Sequence, residues 1–422
     1  MSSVHHIIKS MASGYIVVAV QAVIGIIMVP YLISERNLGL EKYGTLMLIQ
    51  SSVAILTVLL DGLRLESARL IGKSIITKVF ALDEINIIAL VLSFLLGCVY
   101  LLILTNITPG YSNLYITNEI INTSIVLVAA FIIEQIYYAI DSHFHATQKS
   151  LISNALSIAD TVTRALFIFL MFEYINADIA HYAQAIFLCL GIKYLAARAI
   201  LRQQNYNQDK MSTKSIIRVV RGFKSAPTQT LQGLSPYMIF RGAVILSGLR
   251  LGTEQAAVVA IFIQTLRNYF NQAVFSGLRP FILPFLSATQ NDEVQRKGIN
   301  KFFIIYQLIV LTIGGVAAVT AEFWFPLWLG HDLGKYYYLT WIVLIGYSVE
   351  VALLFHYYDL IAAGKSLGLA YLTFCGALLA LLIMYFTPPM YMNIENYLWI
   401  VTGYILYWSV LVVSIKTIKG KA

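Results

Sequence analysis

LGLEKYG, residues 38–44, is the stretch on which the reading of this chain turns. An apolar run follows it and closes on DGLR at 61–64. Half a chain later LGTEQAA (251–257) repeats the Leu, the Gly and the Glu and ends, like the first copy, on a small residue; SGLR (276–279) then follows as DGLR did. The offset is 213 residues at Gly39/Gly252 and 215 at Gly62/Gly277, and a third echo, KSL at 149–151 and 365–367, is offset by 216. Each match is short. Their shared order and nearly shared offset, close to half of 422 residues, argue for internal duplication. The chain reads as two related halves, and function is expected between them.

Composition fixes the solvent. The sequence is 59% hydrophobic and 12% charged, with a mean hydropathy of +0.76, where an ordinary soluble domain is about one-quarter charged. Apolar runs recur that are long enough to cross about 30 Å of hydrocarbon as helices, and helices satisfy their own backbone groups there. The expected fold is all-α, a polytopic membrane protein of twelve spans: 11–33, 43–60, 85–105, 119–141, 151–173 and 178–199, then 226–249, 255–276, 302–323, 339–362, 367–387 and 396–415. The first apolar run lacks a small-residue cleavage site and is read as a span, not a signal. Cys98, Cys189 and Cys375 fall within apolar runs and read as small hydrophobes.

Orientation follows from lysine and arginine. With the N terminus inside, 20 of the 29 basic residues fall in cytoplasmic segments, four in external loops (Arg36, Lys42, Arg250, Lys335) and five within spans. Both termini are therefore expected in the cytoplasm. Topology thus accounts for the net charge of +8, and no nucleic-acid partner is needed. Six spans per half make the repeat parallel. The division is an N-terminal bundle over 1–199, a basic cytoplasmic linker over 200–225 and a C-terminal bundle over 226–422. In the linker Lys214, Arg218 and Arg221 interleave with Ile216, Ile217, Val220 and Phe223, the pattern of an amphipathic helix on anionic lipid. GKS at 72–74 and 364–366 lacks the Gly that a phosphate loop needs five positions earlier; Ser67 and Asp359 stand there.

Charge near the bilayer midplane is costly and normally faces a partner or water. Arg164, Lys193, Arg241 and Arg267 are the cationic candidates, with Arg198 near a span end; Glu134, Asp160, Glu350 and Asp359 are the anionic ones. Asp160 and Arg164, four apart, suit a same-helix ion pair. Lys193 is placed to snorkel or to meet substrate. Arg241 and Arg267 have no acid at three or four residues' distance, which leaves a cavity role or a cross-helix pairing with Glu350 or Glu134. In the eighth span Gln264, Arg267, Asn268 and Asn271 form one polar stripe, with Gln272 beside it; in the seventh, Thr228, Gln229, Gln232 and Ser235 precede Pro236. Such amides serve either as interhelical glue or as a wet lining. The fourth span sets Glu134, Tyr137, Tyr138 and Asp141 on one side, ahead of His143 and His145, and the tenth carries Glu350, His356, Tyr357 and Asp359. Rings beside amides and charges suit sugars and phosphates, although many of the 27 tyrosines must be ordinary interfacial residues.

A first span ending near Pro30, then LGLEKYG, then DGLRLESARLIGK, resembles the multidrug/oligosaccharidyl-lipid/polysaccharide exporter superfamily, and within it the O-antigen flippases. FILPFLSATQND (281–292) and FPLWLGHD (325–332) look like that family's second-half signatures. The motif positions carrying the resemblance are Gly39, Gly44, Asp61, Gly62 and Arg64. It implies two pseudo-symmetric six-helix bundles around a central cavity that works by alternating access. It also implies a substrate, undecaprenyl pyrophosphate bearing one sugar repeat unit, moved from the cytoplasmic to the periplasmic leaflet of the bacterial inner membrane. A glycan polymerase and a chain-length regulator would be downstream partners, with membrane lipids around it. Cationic cavity residues, a feature of the family, would be Arg164, Lys193, Arg241 and Arg267, with Gln264, Asn268 and Asn271 beside them. Two driving forces stand open: a coupling H+ or Na+ carried by Glu134, Asp160, Glu350 or Asp359, or removal of the product by later polymerisation; no other cofactor is expected. Two alternatives stand: a cation or drug antiporter of the same superfamily, and a flippase for another lipid-linked glycan. A non-transporting scaffold in a glycan-assembly complex is a third class. An enzyme is not expected, because no span carries a nucleophile–base pair or a spaced ligand set.

Overall fold

The computed structural model describes residues 2–77, 82–106, 118–147, 149–175, 177–203, 216–217, 219–220, 223, 226–271, 293–362 and 366–419. Among these the secondary structure is helical throughout. The expected spans map onto α1 (Ser2–Ile33), α2 (Gly39–Leu59), α4 (Leu82–Asn106), α5 (Asn118–Ala146), α6 (Ser150–Ile175) and α7 (Ile179–Gln203) in the first half. In the second they map onto α8 (Ala226–Leu251), a broken helix made of α9 (Thr253–Ala260), a π-helical turn (Ile261–Leu266) and α10 (Arg267–Asn271), and then α11 (Glu293–Val319), α14 (Leu339–Ala362), α15 (Ser366–Phe386) and α16 (Ile394–Lys419). Ten described helices are long and apolar enough to cross a membrane. Of the other two, α8 has 26 residues, about 39 Å of helix at 1.5 Å per residue, but is more polar. The other is interrupted by the π turn. The fold is all-α, the two halves repeating one six-helix plan.

Further described helices lie wholly or mostly outside the twelve spans. DGLRLESARLIGK opens α3 (Asp61–Thr77), and FPLWLGHD is divided between α12 (Ala321–Leu329) and α13 (His331–Gly334). Asp61 begins α3, where a carboxylate offsets the partial positive charge of a helix start. The side chains of GKS 72–74, the Lys214/Arg218/Arg221 pattern, SGLR, Gln272 and FILPFLSATQND lie outside the described residues, as do the side chains of Thr228, Gln229 and Gln232.

The turns explain the echo that announced the repeat. Gly39 (φ 70°) and Gly252 (φ 105°) both sit in the left-handed region at a helix start, and Gly330 (φ 81°) between α12 and α13 does the same. A side chain at such a φ is strained, which favours glycine. The Leu-Gly of both motif copies is therefore a sharp reversal between consecutive helices.

The chain divides into two compact units: residues 1–24 with 31–234, and 25–30 with 235–422. The boundary in α8 falls just before Pro236, inside the helix. The first unit packs Ile71, Leu82, Ile85, Tyr137, Ile140, Phe144, Ala197 and Leu201 into one core shared by α3, α4, α5 and α7. In the second, Phe262 stacks on Phe325 at 5.2 Å, and the fully buried Tyr347 donates its hydroxyl to the Phe262 carbonyl at 3.0 Å. Outward faces are apolar: Phe94, Leu95, Leu102 and Ile103 on α4 and Leu308 and Val316 on α11 are exposed. In water such surface would be a liability; against lipid it is the solvated face.

The start of α7 is capped by its own sequence. Asp178 Oδ1 accepts the backbone N–H groups of Ala180 and His181, both at 3.0 Å, and meets His181 Nδ1 at 2.7 Å. Partial burial pushes this carboxyl up, but the His181 backbone and side-chain bonds, the His181 charge and the Ala180 N–H together hold it below the usual Asp range. Asp178→Ala is expected to cost about 1 kcal/mol of stability. A depressed folded-state value means that the contribution is complete above the ordinary Asp range and disappears as pH falls through the lowered value. Unfolding midpoints of the wild type and Asp178→Ala should therefore differ at pH 7 and converge in acid.

Candidate functional site

In the first unit, α6 and α7 bring Asp160, Arg164 and Lys193 together. Arg164 Nη2 donates to Asp160 Oδ2 at 2.6 Å, one helical turn away, and Lys193 Nζ lies 3.8 Å from the same oxygen. The ammonium also sits 4.4 Å from the centre of the Tyr137 ring, a contact favourable to a desolvated cation. Tyr137 donates to Asp141 Oδ1 at 3.4 Å, and Ser153 hydrogen-bonds the same oxygen; His145 lies 3.7 Å from Asp141. The Asp160 side chain is only 7% exposed, so two cations share one nearly buried carboxylate.

A second first-unit cluster gathers around Arg64. Its Nε donates to Gln135 at 2.9 Å, Glu134 lies at 3.3 Å, Asp61 at 3.7 Å, and the guanidinium sits 5.0 Å over the Tyr138 ring. The polar side expected on α5 thus divides between two clusters. Glu134 and Tyr138 serve Arg64, while Tyr137 and Asp141 belong with Lys193. His143 is buried and His145 exposed. Arg198 pairs with Asp83 at 3.0 Å.

In the second unit Arg267 is forked onto Glu350. Nε donates to Oε2 at 3.0 Å, and Nη2 donates to Oε1. The guanidinium carbon lies over Phe240, 3.8 Å from the ring centre. Of the two cross-helix pairings open to Arg267 and Arg241, only Arg267 with Glu350 forms among the described residues. Arg241 instead donates to the amide oxygen of Gln264, and no described carboxylate lies within ion-pair distance of it. Gln264 is buried inside the π turn, Asn268 is exposed, and Asn271 is half-buried. The stripe expected from regular helical spacing is therefore broken. A π turn adds about one residue to a turn, which rotates the side chains beyond it relative to an α-helical count.

Asp359 and His356 stand apart from that pair. Lys416 lies 3.7 Å from Asp359 and 2.5 Å from His356 Nδ1, and His356 Nε2 meets Gln307 at 2.9 Å. Lys416, just beyond the last span expected from sequence, thus ties α16 to α14. Spacing carried part of this signal, since His356 and Asp359 are three apart on one helix; nothing local pointed to Lys416 or Gln307.

The two units differ in charge count, because Asp141 stands with Lys193 beside Asp160 in the first. Arg164 and Lys193 share Asp160; among the described residues Arg241 and Arg267 stand with Glu350 alone. The second-unit cluster so holds two cations and one carboxylate among the described residues.

No protein-family model and no curated protein matches this sequence. Solved structures do. A eukaryotic MATE transporter superposes with a TM-score of 0.70 at 15% identity, covering 98% of this chain and 94% of its own. The fold is that of the MATE transporters. A MOP superfamily transporter from Pyrococcus furiosus, described by the reverse polarity of its binding pocket, matches with a TM-score of 0.65 at 11% identity over 98% of this chain and 95% of its own. A Vibrio cholerae MATE transporter matches at 0.60 and 14%, over 98% and 96%. At these identities the likeness is one of fold. Within this MATE fold the first-unit cluster lies on α5, α6 and α7, and the second-unit cluster on α8, α14 and the broken helix between Thr253 and Asn271.

Proposed function

We propose that this chain is a transporter for an anionic lipid-linked glycan, and specifically that it moves undecaprenyl-pyrophosphate-linked O-antigen repeat units from the cytoplasmic to the periplasmic leaflet by alternating access. The observation that carries the reading is the second-unit cluster, where among the described residues two arginines stand with one carboxylate and Arg241 is held by an amide in place of an acid. An uncompensated cation among membrane helices is costly and is expected where it serves an anion. Guanidinium groups suit pyrophosphate because their fork donates two parallel hydrogen bonds. The sugar-phosphate head must cross hydrocarbon while the prenyl tail remains in it, and fixed cations lower that barrier. Arg164, Lys193, Arg241 and Arg267 are the proposed head-group residues, with Gln264, Asn268 and Asn271 beside them. Glu134, Asp160, Glu350 and Asp359, each next to a cation, are the positions at which H+ or Na+ would couple.

This reading places the protein in the bacterial inner membrane with both termini in the cytoplasm, feeding a glycan polymerase and its chain-length regulator. The second reading, cation or drug antiport, draws on fold neighbours described as multidrug resistance MATE transporters. The two differ in what they require of Arg241. In liposomes carrying a fluorescent pyrophosphate-linked glycolipid, Arg241→Gln is expected to slow flipping by at least about tenfold, as loss of one charge-assisted contact would. An antiporter of cationic drugs would tolerate or benefit from that change, with ethidium efflux kept. Full surface-glycan complementation by a variant with Ala at both 241 and 267 would defeat the proposal.

A further inference from the structure

The Arg267–Glu350 pair has features that an ordinary structural ion pair does not need. Both carboxylate oxygens engage the guanidinium, the fork-to-fork geometry that the same group offers a phosphate. A second cation, Arg241, is tied through Gln264 to the helix turn just before Arg267 and has no acid of its own among the described residues. The Tyr404 hydroxyl is buried and meets no acceptor among the described residues, yet lies near enough to Glu350 and Arg267 for their charges to act on it. Asn271 Oδ1 is likewise buried without a donor among them.

The first unit shares the unpartnered polar atoms, though there Asp141 stands with Lys193 as well. Asp160 spends one oxygen on both Arg164 and Lys193, while its other oxygen and Arg164 Nε, both buried, have no hydrogen-bond partner among the described residues. Buried polar atoms are nearly always partnered. The second-unit site, with two arginines and polar atoms to spare, is one that a single carboxylate underfills.

We propose that Glu350 is a tethered stand-in for phosphate. It occupies the Arg267 fork when no substrate is bound, and a prenyl-linked pyrophosphate displaces it to engage Arg267, Arg241 and the Tyr404 hydroxyl. The idea rests on the anionic-substrate reading and adds to it a competition within the protein. Without Glu350 the empty site would hold two bare cations, which is strongly unfavourable. A pyrophosphate carries more negative charge than one carboxylate and therefore matches the pair of arginines better. Glu350 thus stabilises the empty protein and opposes binding. A purely structural ion pair would do only the first.

The test uses full-length protein purified in detergent, titrated with farnesyl pyrophosphate, farnesol and ethidium, with affinity and unfolding midpoint recorded. Glu350→Gln is expected to bind farnesyl pyrophosphate about tenfold tighter than the wild type, roughly one broken competing contact. Farnesyl pyrophosphate should also raise its midpoint more than that of the wild type, because the ligand supplies the missing anion; farnesol should do neither. Arg267→Gln should lose farnesyl pyrophosphate binding. If Glu350→Gln cannot be purified, Glu350→Asp, whose shorter side chain competes less well, should shift affinity in the same direction. Wild-type binding that is unchanged or weakened in the Glu350 variant overturns the stand-in alone. Absence of farnesyl pyrophosphate binding in both wild type and variant, with or without ethidium binding, overturns the anionic-substrate reading together with it.

Discussion

Arg267→Ala is expected to lower the unfolding free energy by about 3–5 kcal/mol, the usual cost of stranding one member of a buried ion pair. Glu350, whose side chain is 13% exposed, would keep its charge site and lose both guanidinium donors at once. The face of Phe240 would lose its cation as well. Replacing both partners, Arg267→Ala with Glu350→Ala, is expected to cost clearly less than the sum of the single changes, since neither charge is then orphaned. Denaturant unfolding in detergent measures both quantities. A single Arg267→Ala variant within about 0.5 kcal/mol of the wild type, the range of ordinary surface substitutions, would mean that the pair is not formed in the protein.

Gly62→Ala should be nearly as damaging, by crowding and not by charge. Gly62 opens α3 against the first turns of α8. A methyl group there would fall inside contact distance of the Ala226 carbonyl, a backbone atom that cannot rotate away, and of the Thr230 hydroxyl. The Gly62 N–H also donates to Thr230 Oγ1 at 3.1 Å, a bond the displaced backbone would lose. Overpacking of this kind typically costs about 1–3 kcal/mol, and the lost hydrogen bond about 1 kcal/mol more. Gly191→Ala supplies the contrast. Nothing lies within 4 Å of its added methyl, and Gly191 is interior to α7. That change should stabilise by about 0.5–1 kcal/mol, the ordinary advantage of Ala over Gly in a helix. Equal losses at both positions would refute the packing argument.

Much of the fold was legible because the bilayer makes length and polarity decisive. Each expected span is met by a helix, one of them broken, and the Leu-Gly echo marks a backbone reversal that glycine alone adopts without strain. The helices outside the spans were less legible, because α3 is mixed in polarity while α12, with Pro326 inside it, and α13 are too short to cross a bilayer. At the candidate site, local spacing sufficed for Asp160 with Arg164, four residues apart. Arg267 with Glu350, 83 residues apart, was only one of several pairings the sequence allowed. Lys193 reaching Asp160, Arg64 gathering Asp61, Glu134 and Gln135, and Lys416 bridging to His356 depend on which helices become neighbours, and helix periodicity does not encode that. The polar stripe on the eighth span failed for a different reason: it assumed one helical pitch where the chain uses two.

That change of pitch bears on how this chain is compared with its structural kin. A regular α-helix advances about 100° per residue, so the wide turn over Ile261–Leu266 shifts every later side chain of its segment relative to a template that lacks it. An alignment carried straight through would assign the guanidinium of Arg267 to a neighbour's position one residue off and aim it at the wrong partner. Positional equivalence to the MATE structures should be judged separately on either side of Leu266, with one residue of slack permitted between them.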